Sequence, residues 1–489
     1  MTESHRTAII RGELSRPTRL AISGGVLDNN ATFFDYGCGR AEDIVGLKKL
    51  GFSARGWDPN HLPDEPKTNS DVVNLGYVIN VIEDQQERVA ALKEAWNLTS
   101  KALVVSARLM SEERAVTRGQ VRGDGYITGH DTFQKFYTQS ELRGWIDSNL
   151  QVESIAAAPG VFIIFRNEED ANEYIIKNRR RRFFPVKISR ADLIYEKHQE
   201  PLDELIEWFT RRGRLPRKGE NLELERDLKS AVGGVKRAWN VIHKVTEDTD
   251  WEEISSSRRD DLLVDLALLK LNRRPNFMAL PETTRHDIKD FFGSYKQATL
   301  EADQLLFSAG NFELIEKAAN SLDIGKRLPT ALYVHISALE HLPPVLRVYE
   351  GCARWLIGEV DNANIIKLAT HKPKVSYLTY PKFDKDPHPA LQEALFVRIR
   401  DLDVDGRDYN NSTNPPILHR KETFVTNDYH LYEKFARLTK QEEKFGLFDE
   451  DARLIGNREG WNERVALLGL EIRGHRVVKS SNMKDATKR

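Results

Sequence analysis

The stretch that most limits how this chain can fold is Phe33-Phe34-Asp35-Tyr36-Gly37-Cys38-Gly39-Arg40. An apolar run closing in D-x-G-x-G predicts a buried strand that ends in a tight turn. The next residues, Glu42-Asp43-Ile44-Val45-Gly46-Leu47, predict a helix directly behind it. Gly37 and Gly39 permit a backbone path, and a ligand approach, that a Cβ would block, and the helix start presents unpaired N–H groups. This predicts a cradle for a nucleoside. Asp58 follows at the end of the second strand expected from Phe52-Ser53-Ala54-Arg55-Gly56-Trp57, with Pro59 beside it. There a carboxylate can accept bonds from the hydroxyls of a ribose. A dinucleotide fingerprint would need a third glycine; the chain instead reads Arg40-Ala41-Glu42-Asp43 after Gly39, which argues against NAD or FAD.

Around this motif, short apolar runs alternate with amphipathic stretches as far as Asn167, the pattern of βαβ units in a mostly parallel sheet with helices on both faces. The expected fold is therefore α/β and Rossmann-like over residues 1–167. Its third strand segment is Asp71-Val72-Val73-Asn74-Leu75-Gly76-Tyr77-Val78. Its end predicts Leu75, Gly76, Tyr77 and Val78 as crevice lining, with Asn80 behind them. Thr138 followed by Glu141 predicts a capped helix, and Val152–Asn167 a terminal pair of strands. From 168 to 345 apolar residues recur at three- and four-residue spacing, which predicts a largely helical domain. Residues 346–489 read as a mixed α and β region.

Nearly balanced charge, 73 Lys+Arg against 74 Asp+Glu, excludes a polybasic binder, so any nucleic-acid contact must use a local surface. Lys177, Arg179, Arg180, Arg181 and Arg182, followed by Phe183-Phe184, form a short basic run with rings beside it. Two cysteines, no apolar leader and no long apolar span point to a cytoplasmic protein. Scattered histidines without metal-ligand spacing predict no metal. No catalytic motif stands beside the cradle: Asn74-Leu75-Gly76-Tyr77 occupies the position where Asp/Asn-Pro-Pro-aromatic would mark an amino-methylating enzyme. Asn414-Pro415-Pro416-Ile417 lies far from it and reads as a turn, and Cys38 as a packing residue. The catalytic candidates are Tyr77 and, on or after a glycine-bearing loop at 118–128, Asp124 and Tyr137. His130 and Gln134 lie nearby.

The D-x-G-x-G turn with its acidic second-strand end resembles the S-adenosylmethionine site of class I methyltransferases. That resemblance implies that Asp35, Tyr36, Gly37, Gly39, Asp58, Pro59, Leu75, Gly76 and Tyr77 surround the cofactor. Asp35 would lie near its amino-acid part and Asp58 at its ribose. Across the whole chain, FFDYGCGRAEDI, GWDPN, DVVNLGYVINVIED, FQKFYTQSELRGWI, LRVYEGCARWLIGEV, DPHPAL, NPPILHRKETF and GHRVV are similar to the DNA phosphorothioation-associated methyltransferase family. This resemblance implies a bacterial methyltransferase acting on DNA, with phosphorothioation-system proteins as partners. Its rivals are a cofactor-sensing scaffold without transfer activity, or a methyltransferase of RNA, protein or a small molecule.

Overall fold

The computed structural model describes residues 13–110, 112, 120–128, 132–188 and 192–480. The chain forms two compact units: Met1–Arg166 with Asn311–Leu342 and Glu350–Arg489, and Asn167–Gly310 with Pro343–Tyr349.

In the first unit, β1 (Thr32–Tyr36), β2 (Ser53–Trp57), β3 (Ser70–Gly76) and β4 (Thr99–Ser106) run parallel. After β4 come a small antiparallel sheet of β5 (Gln120–Arg122), β6 (Gly125–Ile127) and β7 (Phe133–Gln134), then the hairpin β8 (Ile155–Ala158) and β9 (Val161–Phe165). The hairpin joins the main sheet with β9 antiparallel to β4, in the order β2-β1-β3-β4-β9-β8. This is a Rossmann-like, mostly parallel sheet with a reversed final hairpin. The chain leaves β1 for β2 on one side and returns to β3 on the other, so strand order reverses at β1. Crevices form at such switch points, outside the carboxyl ends of the strands.

Among the described residues, four helices flank the sheet: α1 (Arg16–Ser23), α2 (Glu42–Lys49), α3 (Gln85–Asn97) and α4 (Gln139–Leu150). With helices on it, β9 is buried at every residue and β3 and β4 nearly so, which is why their sequences read as unbroken apolar runs rather than alternating ones. Thr138 and Glu141 form the expected capping box at the start of α4. No helix occupies the β2-to-β3 crossover, which is an irregular loop over 58–69.

The same unit holds an antiparallel sheet of β10 (Lys326–Leu328), β11 (Ala331–His335), β12 (Ile365–Ala369), β13 (Lys374–Thr379), β14 (Glu393–Arg398) and β15 (Asp403–Asp408), paired in chain order. Its first two strands thus precede residue 346, where the mixed region was expected to begin. The Asn414-Pro415-Pro416-Ile417 segment, expected as a turn, is built into this part as bridged chain: Pro416 and Ile417 form isolated β-bridges with Asn457 and Ala390, the Asn414 side chain accepts from Glu459 N–H at 2.9 Å, and Ile417 packs in a core with Trp461 and Leu438. The chain after the Pro344–Ile357 helix docks on the exposed edge of β8. Glu359 N–H donates to Ala157 O at 2.8 Å, and Arg143 donates to Trp355 O at 2.8 Å while lying over its ring.

The second unit is helical. Tyr195, Leu202, Leu205, Trp208, Phe209, Leu224, Leu228 and Ile242 form a core that closes on Trp251 and Ile254 of the 19-residue helix Trp251–Leu269. That helix is buried from Asp261 to Leu269 on every face, so its sequence loses the one-sided stripe of a surface helix. Among the described residues, no helix is long and apolar enough to cross a membrane.

Candidate functional site

A cavity of about 430 Å³ opens at the switch point of the Rossmann-like sheet. Asp35, Tyr36, Gly37, Gly39, Asp58, Pro59, Gly76 and Tyr77 line it together. Leu75 does not: side chains alternate along a strand, and Leu75 points into the core, fully buried among Phe34, Val73 and Leu103. Asn74 and Gly76 take the facing positions instead.

Asp35 and Asn74 stand opposite each other in the β1–β3 ladder, and Asn74 Nδ2 donates to Asp35 Oδ1 at 2.8 Å. That bond fixes the amide, since the flipped orientation would set two oxygens against each other. Asn74 Oδ1 is left buried with no partner among the described residues, as is His61 Nε2 on the same lining. Gly76 must lack a side chain because a Cβ there would meet Asn74 Nδ2 at 2.8 Å. The glycine turn is held by Gly37 N–H and Cys38 N–H, which both donate to Trp57 O, at 2.8 and 3.1 Å. Tyr77 follows β3 with φ +60°, a left-handed conformation costly for a bulky residue, and is kept there by its N–H donating to Ser106 O (2.9 Å) and Oγ (3.2 Å).

Asp58 is nearly buried and already engaged: Oδ2 accepts from Gly39 N–H at 3.0 Å, and Oδ1 accepts from the N–H groups of Asn60 and His61, both at 2.9 Å. A carboxylate offers about four acceptor positions, so roughly one remains for a ligand hydroxyl rather than the two the sequence suggested.

Three side chains that sequence reading passed over shape the rest of the wall. Lys67, brought in by the irregular 58–69 loop, lies 3.8 Å over the Trp57 ring and donates to Glu94 Oε1 at 2.6 Å; Tyr36 Oη donates to Glu94 Oε2 at 2.5 Å. Burial works to raise the Glu94 carboxyl, but the bonds from Lys67 and Tyr36 outweigh it and hold the group below its usual range. Burial, then Glu94, pushes the Tyr36 hydroxyl up. Asp43 fastens α1 to the first turn of α2, accepting from Ser15 N–H (2.6 Å), Ser15 Oγ and Thr18 Oγ1 (2.9 Å). The polar Asn74 inside the apolar run Val72-Val73-Asn74-Leu75 was the one legible signal, because a polar residue in a buried strand must have a partner or a task.

Six of the lining side chains are acidic and two, Arg40 and Lys67, are basic, with Asp43 and Glu94 already engaged by Ser15, Thr18 and Lys67. Burial, with Asp35 and Asp58 beside it, pushes the Cys38 thiol up to about 12, which disfavours the thiolate form a nucleophile needs.

Asp124 and Tyr137 stand off the cavity lining. Asp124 sits in the β5–β6 turn, gripped by Arg88 Nη1 and Nη2 at 2.8 and 3.0 Å and by Lys135 at 3.1 Å. Tyr137 is buried, and burial pushes its hydroxyl up to about 12. Gln134 is also buried, and Gly119 and His130 lie outside the described residues. The bonds from Arg88, opposed by burial and helped by Lys135, lower the Asp124 carboxyl from 3.8 to about 2. A depressed carboxylate stabilises the fold above its ordinary value and loses that contribution as pH falls toward the depressed one. Asp124→Asn is therefore expected to lower stability by roughly 2 kcal/mol near neutral pH. The gap from wild type should narrow as pH falls from 3.8 toward about 2, read by denaturant unfolding across that range.

In the helical unit, the basic run is tied to acids: Arg179 and Arg181 to Asp265 at 3.5 and 3.4 Å, and Arg182 to Glu253 at 2.9 Å. Arg180 also has a partner, and Lys177 is exposed. Among the described residues no group of three or more His, Cys, Asp or Glu could hold a metal ion.

No protein-family model matches the chain, and no curated protein is similar to it in sequence. Solved structures resemble about a third of it. The magnesium protoporphyrin IX methyltransferase of Synechocystis PCC 6803, with bound SAH, is 11% identical over 34% of this chain and 94% of its own, with a TM-score of 0.25. The amino pentose methyltransferase CalS10 of Micromonospora echinaspora, with bound SAM, is 13% identical over 32% and 100%, with a TM-score of 0.22. A Burkholderia thailandensis 1,6-didemethyltoxoflavin-N1-methyltransferase is 11% identical over 31% and 78%, with a TM-score of 0.22.

Proposed function

We propose that the chain is an S-adenosylmethionine-dependent methyltransferase whose cofactor occupies the cavity at the switch point. The observation that carries this reading is the charge of the lining, six carboxylates against two cations around a glycine turn. Such a wall repels the pyrophosphate of a dinucleotide and suits a nucleoside bearing a sulfonium and an ammonium. The cofactor would supply a methyl group on positive sulfur. The chain's part is to hold it: Gly37 and Gly39 leave room for the backbone to approach, Asp35 and Asn74 face the amino-acid part, and Asp58 accepts a ribose hydroxyl.

The acceptor is proposed to be DNA, with phosphorothioation-system proteins as partners, on the strength of the family resemblance. A second reading, a cofactor sensor that transfers nothing, draws on the placement of Asp124 and Tyr137, both held in bonds or burial off the cavity lining. Calorimetric titration tests the cofactor: S-adenosylmethionine is expected to bind and NAD to give no heat. Asp58→Ala is expected to weaken S-adenosylmethionine at least about tenfold, the value of one charge-assisted hydrogen bond. Because Asp58 also closes its own turn, a melting curve of the variant accompanies the titration. Unchanged affinity in a folded variant would remove the ribose assignment.

A further inference from the structure

An open groove of about 980 Å³ lies wholly within the helical unit. Its walls come from one side of the Glu168–Lys177 helix along its length, the 179–184 segment, the end of the Gln199–Arg212 helix, and residues 278–285 leading into the Glu282–Phe292 helix. Eight lining side chains are cations and four are carboxylates, in a chain whose formal net charge is -1. The excess is local.

Most of the arginines are paired: Arg212 with Asp287 and Arg182 with Glu253, both at 2.9 Å, and Arg211 with Glu207 of the lining at 3.7 Å. Asp265 is shared between Arg179 and Arg181 at 3.5 and 3.4 Å, and Asp261 between Arg258 and Arg347, both at 2.7 Å. Lys177 and Arg285 line the groove with no carboxylate within ion-pair distance among the described residues, and Arg285 Nε is buried without a partner. The pairs that do form hold the guanidinium groups in place, which lowers the entropy lost when an anion binds them.

Two rings complete the wall. Phe184 is fixed beneath Arg182 and Arg258, whose guanidinium carbons stand 4.7 and 5.4 Å from its ring centre. Phe183, its neighbour, is 80% exposed on the same lining. An exposed ring among cations costs apolar hydration unless something planar covers it.

We propose that this groove binds single-stranded nucleic acid, with the phosphates along Lys177 and the arginines and a base stacked on Phe183. A strand satisfies cations and ring together, whereas an acidic peptide would satisfy the cations alone and a stacked duplex would offer Phe183 no base face. The inference deepens the nucleic-acid part of the function proposed above and is independent of its cofactor part.

The test is fluorescence anisotropy of labelled oligothymidylate of about 20 nucleotides, long enough for a groove of this kind, titrated with the full chain and no cofactor. Affinity is expected to fall with salt, the logarithmic slope being about -0.7 for each phosphate contacted. Phe183→Ala, which removes only an exposed ring, should weaken binding at least about fivefold, the lower end of base–aromatic stacking. Lys177→Glu should weaken it as well and flatten the salt slope, and Lys440→Glu, exposed in the other unit, should leave it unchanged. No binding at low salt, equal affinity for a duplex or for polyglutamate, or indifference to Phe183→Ala would each overturn the proposal. Because cofactor is left out, such a failure leaves the cavity reading standing, and loss of S-adenosylmethionine binding leaves the groove reading standing.

Discussion

Replacing Gly37 by valine is expected to lower S-adenosylmethionine affinity by roughly 10- to 100-fold while the protein still folds. Two costs meet at this position. Gly37 has φ +80°, where a β-branched residue is strained, and a Cβ there would lie 2.4 Å from Val78 Cγ2. Such strain is worth about 1–3 kcal/mol. The turn can relieve it by releasing the bonds from Gly37 and Cys38 N–H to Trp57 O, but these hold the floor of the cavity between β1 and β2. The strain therefore appears as lost binding, and about 1.4 kcal/mol is a factor of ten. Gly51→Val is the control: its φ is +90° with nothing within 4 Å, and it lies off the cavity lining, so it carries the backbone strain without the cavity. Calorimetry of both variants decides the point. Wild-type affinity in Gly37→Val would mean that the turn does not shape the binding site.

The parts of this molecule that could be read from sequence are those in which one local rule decides. The strand Phe33–Tyr36, its glycine turn and helix, the capping box at Thr138 and the β8–β9 hairpin each follow from a short pattern of burial and turn chemistry. The gathering of Asp35, Gly37, Gly39, Asp58 and Tyr77 around one cavity followed from placing strand ends on one edge of a parallel sheet. What was not legible depends on register and on long loops. Leu75 and Asn74 exchange roles because the β1–β3 register puts Asn74 opposite Asp35, and no spacing in the sequence states that register. Lys67 meets Tyr36 and Glu94 because the β2–β3 crossover lacks a helix and runs across the cavity face, while Glu94 reaches the same point from α3, after β3. The strand Ala331–His335 escaped notice because Ala-Leu-Tyr-Val-His is short and runs straight into Ile336–His341, a 3-10 helix whose apolar residues continue the run without a break.

The largest stability loss is expected from Gly358→Val, well away from the cavity. A Cβ at Gly358 would come within 2.3 Å of Ala157 C and Ala158 N, and its φ is +72°. Both obstacles are backbone, so no rotamer change relieves them. The edge of β8 would have to part from the chain that covers it, losing the Glu359 N–H to Ala157 O bond and the Arg143 contact with Trp355. An uncovered strand edge leaves unpaired backbone groups and a template for association. Loss of these bonds and of the packing around them is expected to cost about 3 kcal/mol or more on top of the roughly 1–3 kcal/mol for the positive φ alone. The Gly51→Val control supplies that smaller figure in the same protein. Denaturant unfolding followed by tryptophan fluorescence would read both, and static light scattering would report any association through the β8 edge. A Gly358→Val protein no less stable than Gly51→Val would mean that the chain around Gly358 is not seated on β8. In that case the Rossmann-like sheet would owe its covered edge to something other than this close approach.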